Sequence, residues 1–88
     1  AVPAVERRLQ QHPDLVDVLM ARASALAMLQ RIDEALTVRE RALAIAERAY
    51  GPDHPEVGEV LGSIGYEKLM TGHPEEAQGF LDRAYEIN

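Results

Sequence analysis

Displaced by 42 residues against itself, the chain aligns 12–46 with 54–88 and keeps ten of 35 residues, where chance gives roughly two. The identities are His12/His54, Pro13/Pro55, Val18/Val60, Leu19/Leu61, Met28/Met70, Glu34/Glu76, Ala35/Ala77, Arg41/Arg83, Ala42/Ala84 and Ile45/Ile87. They span both halves of the unit. A chain made of two copies of one short unit has no room for a second, unrelated domain, and its fold has to be one in which the copies bury surface against each other.

Each unit reads as two helices. Pro13 suits the first helical position because its φ is fixed and its missing N–H would have no partner there, and Asp14 and Asp17 follow at the positive end of the helix dipole. Pro55, with Glu56 and Glu59, repeats the device. Over 16–29 apolar residues occupy nearly every face, which predicts a helix covered on more than one side. Over 33–50, Ala35, Val38, Ala42, Ile45, Ala46 and Ala49 keep the helical period while acids and arginines fill the rest, which predicts one packed and one wet face. Gly51 supplies a left-handed cap and Pro52 blocks continuation. Gly72 and Pro74 punctuate the second unit in the same way, and no strand pattern competes. The expected architecture is all-α, an α-solenoid of stacked antiparallel helix pairs.

Composition narrows the function. The chain is 47% apolar and 27% charged, as in globular proteins, and 88 residues bury only about 60–65% of their unfolded surface, so a deep catalytic cavity would be costly to build. Fifteen acids against nine scattered bases leave a net charge of −6, which repels phosphate backbones and predicts no nucleic-acid partner. No apolar run is long enough to span a bilayer and no leader opens the chain, so the expectation is a soluble, cytoplasmic protein with no membrane partner. With no cysteine there are no disulfides, thiolate metal sites or cysteine nucleophiles. The start at Ala1 rather than at a methionine predicts an excerpt of a longer protein.

Isolated chemical motifs have plainer explanations. His12, His54 and His73 each precede a proline and an acid at a helix start, so the turn accounts for them better than a metal site does. Gly62–Ser63–Ile64–Gly65 lacks the first glycine of a nucleophile elbow and lies within a helix. Asp33/Glu34 and Glu75/Glu76 are first-turn acids, and adjacent helical residues point about 100° apart. No nucleophile, base and orienting group share a neighbourhood, so no catalytic residue, cofactor or metal is expected. Gly58, Gly62 and Gly65 in one helix cost about 1 kcal/mol each relative to alanine. Gly65 falls where helices approach closely, whereas Gly58 and Gly62 either weaken the helix or admit a neighbour or ligand to the backbone; in the second case Gly62→Leu abolishes partner binding with the fold intact.

Glu40–Arg41–Ala42–Leu43–Ala44–Ile45–Ala46–Glu47, Tyr50–Gly51–Pro52–Asp53–His54–Pro55 and Gly72–His73–Pro74–Glu75–Glu76–Ala77 together resemble the tetratricopeptide repeats, in the 42-residue form of kinesin light chains and many bacterial regulatory proteins. The resemblance implies small residues at close helix contacts, here Ala23, Ala35, Ala42, Gly65, Ala77 and Ala84. Arg39 departs from it, standing where the family has a large apolar residue and where the second unit has Leu81. It also implies the division 1–11, the tail of a preceding repeat helix and a turn; 12–53, a first repeat; and 54–88, a second repeat shortened at its end.

In that family the first helices line a concave groove. The resemblance assigns the groove to Asp17, Met20, Ser24, Ala27 and Met28, then Glu59, Gly62, Ser63, Tyr66, Leu69 and Met70. Methionine adapts to varied apolar shapes and tyrosine offers a flat face with a polar tip. Met28, Leu69 and Met70 read equally well as ordinary core. Met20, Ser24, Gly62 and Tyr66 stand where members gripping carboxylates carry Lys, Arg or Asn, so the expected ligand is a basic or apolar peptide or protein. The expectation is a non-enzymatic interaction scaffold within a longer array. The alternatives are self-association through open solenoid ends and a regulatory segment of a larger signalling or enzyme protein.

Overall fold

A computed structural model of the protein describes residues 14–87, and within them the chain is four helices with no strand. They are α1 (Asp14–Met28), α2 (Ile32–Tyr50), α3 (Pro55–Met70) and α4 (Pro74–Ile87). The connections at 29–31, 51–54 and 71–73 are so short that each helix folds back on the one before it. Close contacts run α1 to α2, α2 to α3 and α3 to α4, the order of two helix pairs laid side by side. Pro13 and His12, and the tail expected over 1–11, lie outside the described residues.

The small-residue positions carry the packing. Ala23, Ala35, Ala42, Gly65, Ala77 and Ala84 are all buried. One core unites Val16 and Leu19 of α1, Leu36, Ile45 and Ala46 of α2, Val57, Val60, Leu61 and Ile64 of α3, and Ala84 of α4. Helix α3 is therefore the shared wall between the pairs. The even apolar distribution over 16–29 predicted cover on several sides, but Val18, Met28 and Leu29 remain exposed and α1 buries its Val16, Leu19 and Ala23 stripe.

Turn chemistry explains the helix ends. After α3, Gly72 has φ +85° and the His73 N–H donates to the Lys68 carbonyl at 2.8 Å, closing a six-residue terminal turn. After α1, the Arg31 N–H donates to the Leu26 carbonyl at 2.9 Å in the same pattern. The positive-φ position is Gln30 (φ 65°), the repeat equivalent of Gly72, so this turn carries a left-handed strain that glycine would avoid. Gly51 has positive φ as expected, yet its ψ of 159° takes it out of the left-handed helical well into a region essentially restricted to glycine. His54 caps α3, its Nδ1 accepting from the Glu56 N–H at 3.1 Å, and its ring stacks on Tyr50 with centroids 4.5 Å apart. His54 Nδ1 is thus engaged in holding the turn.

Glycines of α3 separate by environment. A Cβ at Gly65 would lie 2.7 Å from Leu81 Cγ and 3.3 Å from the Ala77 carbonyl oxygen, whereas one at Gly62 would meet nothing within 4 Å. Gly65→Ala is therefore expected to destabilise: an overpacking cost of about 1–3 kcal/mol outweighs a helix-propensity gain of about 1 kcal/mol. Gly62→Ala keeps the gain alone. Thermal unfolding of the two variants should shift in opposite directions, and a shift of the same sign would show that α3 and α4 are not in contact at this point.

Candidate functional site

Between α1 and α3 lies an open cleft of about 490 Å³, floored by α2. Ser24 and Ala27 of α1 face Tyr66, Glu67 and Met70 of α3 across it, Ile32 and Arg39 rise from α2, and Gln30 and Thr71 close one end. The turns set this end: α1 and α3 stop at corresponding residues, Met28 and Met70, so the two first helices finish side by side.

The eleven expected groove residues are only partly brought together here. Ser24, Ala27, Tyr66 and Met70 line the cleft, while Asp17, Met20, Met28, Glu59, Gly62, Ser63 and Leu69 lie outside its lining. Met28, Leu69 and Met70 are not core: they are 83%, 51% and 68% exposed, and Tyr66 is 60% exposed. Tyr66 and Met70 thus give the cleft two exposed side chains on α3, while Met28 and Leu69 are exposed outside its lining. Met20 is half-buried and packs against the core. Ser63 donates its hydroxyl to the Glu59 carbonyl at 3.1 Å, an intrahelical bond that explains its place in the helix without chemistry.

The sequence reading missed the floor. Arg39 is 6% exposed, and its Nε donates to Glu67 Oε1 at 2.7 Å, joining the second helix of one pair to the first helix of the next. Its Nη1 lies 3.7 Å from Met20 Sδ and its Nη2 3.4 Å from Ser24 Oγ, so the guanidinium ties together three helices. Glu67 Oε2 is also enclosed but has no hydrogen-bond partner among the described residues. A signal existed. Arg39 and Glu67 each stand where the other unit has an apolar residue, Leu81 and Ala25, and they carry opposite charges.

Three cations outside the cleft lining are likewise engaged. Arg31 forms a two-pronged ion pair with Glu34, and its hydrogen bond holds the Glu34 carboxyl below the ordinary carboxylate range. Lys68 lies 3.7 Å from Glu76 and over the Phe80 ring. Arg83 donates to Glu47 at 2.6 Å, a second link between the pairs. Among the described residues no three His, Cys, Asp or Glu side chains gather as metal ligands, and no helix is long and apolar enough to cross a membrane.

The family model for the tetratricopeptide repeat matches residues 14–88, which takes in all four helices and the cleft. No curated protein matches the chain.

Proposed function

The chain belongs to the tetratricopeptide repeat family, whose repeats generally mediate protein–protein interactions and are typically non-catalytic, and from that premise we propose that it is an interaction module whose α1–α3 face receives a basic or apolar peptide segment. The observation that carries this reading is the exposure of Tyr66 and Met70 in the lining of a mostly apolar cleft, with Met28 and Leu69 exposed on the same two helices. Methionines and a tyrosine suit side chains of varied shape. The cleft's cation, Arg39, is bound to Glu67, which leaves no free positive group among the described residues of the lining to grip a carboxylate. The net charge of −6 favours basic partners at long range. In this reading the module is a segment of a longer array of the 42-residue, kinesin-light-chain-like form.

Two blocked peptides test it, one of alternating leucine and lysine and one of alternating leucine and glutamate, each titrated into the ¹⁵N-labelled protein. The basic peptide is expected to shift amide resonances of α1 and α3, with Gly62→Leu and Tyr66→Ala weakening it while thermal unfolding stays unchanged or rises. Tighter binding of the acidic peptide would overturn the ligand class. A mass that climbs with concentration, with neither peptide bound, would favour self-association instead.

A further inference from the structure

Burying a carboxylate oxygen without a partner costs free energy, since desolvation is not repaid by a hydrogen bond. Glu67 has such an oxygen at the cleft floor: its side chain is nine-tenths buried, Oε1 takes the Arg39 Nε–H, and Oε2 takes nothing from the described residues. Arg39 does not serve Oε2, because its two terminal nitrogens reach to Met20 and Ser24. Above this carboxylate the cleft is walled by Ala27, the Tyr66 ring and Met70. An apolar sleeve over an anionic floor matches a long aliphatic stem ending in a cation.

We propose that Glu67 is the specificity-determining residue of the cleft, receiving a lysine side chain of the partner, its stem between Ala27 of α1 and the Tyr66 and Met70 side of α3 and its ammonium on Glu67 Oε2. The inference rests on the reading of the α1–α3 face as the peptide groove and supplies its selectivity. Oε2 is enclosed in the structure, so lysine binding requires the carboxylate to turn about its last torsion, bringing Oε2 to the cleft while Oε1 keeps its bond to Arg39. The ammonium has three donors, so one reaches Oε2 and another is free for Ser24 Oγ, which also lines the cleft. An acidic side chain in the same place would set a second carboxylate against an unpaired oxygen, and a purely apolar one would leave that oxygen unpaired.

The test uses blocked, amidated pentapeptides Gly-Leu-X-Leu-Gly with X as lysine, glutamine, norleucine or glutamate, titrated into ¹³C,¹⁵N-labelled protein and read by NMR. The lysine peptide is expected to bind about tenfold more tightly than the norleucine peptide, the size of a charge-assisted hydrogen bond after desolvation. The Glu67 side-chain carboxyl ¹³C resonance should move with lysine and not with norleucine, a readout that needs no variant. Glu67→Gln should bring the lysine and norleucine affinities together if it folds. Equal affinities for lysine and norleucine, or for lysine and glutamine, with shifts still on the cleft, would overturn the role of Glu67 and leave the groove reading intact. Shifts that fall away from α1 and α3 for every peptide would remove both.

Discussion

Arg39→Met is expected to lower the unfolding free energy by about 3–5 kcal/mol, and adding Glu67→Leu is expected to return most of the loss. Both groups are buried, at 8% and 10% side-chain exposure, and Arg39 Nε is the donor to Glu67 Oε1. Removing it leaves a carboxylate enclosed with neither oxygen satisfied, because Oε2 has no partner to begin with. The second substitution removes the stranded charge and restores apolar volume, the exchange for which buried pairs are often neutral or better. In a domain this size 1 kcal/mol moves the melting temperature by about 4–8 °C, so the single variant should melt at least 10 °C lower than the parent and the double variant near it. Circular dichroism melts of the parent, both single variants and the double variant measure this. A single variant that melts within 2 °C of the parent would show that the pair is solvated.

The second large effect belongs to Leu61. It is fully buried in the core that joins α1, α2, α3 and α4, and α3 is the helix shared by both pairs. Leu61→Ala should cost about 2–5 kcal/mol, the transfer loss plus the cavity left where four helices meet. Leu69→Ala, eight residues along the same helix but 51% exposed, should change stability by no more than about 0.5 kcal/mol. Urea unfolding of the two variants therefore separates core from exposed surface on one helix. Similar losses from both would mean that Leu69 is packed and not exposed.

The helices and their order were legible because punctuation repeats in register. Proline at helix starts, acids in first turns and glycine at helix ends act through local backbone physics, which a sequence displays directly. The small residues at 23, 35, 42, 65, 77 and 84 were legible for a related reason, since close helix approach admits little else. The exposure of Met28, Leu69 and Met70 was not. A helix apolar on nearly every face gives the same periodicity whether a side chain is core or rim, and only the end points of α1 and α3 decide which. Gln30 shows the converse limit: its backbone adopts the positive φ that Gly72 adopts, but the residue type hides it, and only alignment of the two units reveals it. The Arg39–Glu67 pair lies 28 residues apart and breaks the repeat at both positions, so periodicity discards the contact that organises the cleft floor.

The two helix pairs dock closely enough to seal Arg39 against Glu67 beneath the cleft. The most direct measurement is hydrogen exchange of the Arg39 Nε–H, followed by ¹⁵N NMR near neutral pH. A resolved, slowly exchanging resonance that moves on Glu67→Gln is predicted, as expected for a buried N–H donating to a carboxylate. A rapidly exchanging signal at the position of a solvated arginine, unaffected by Glu67, would contradict it.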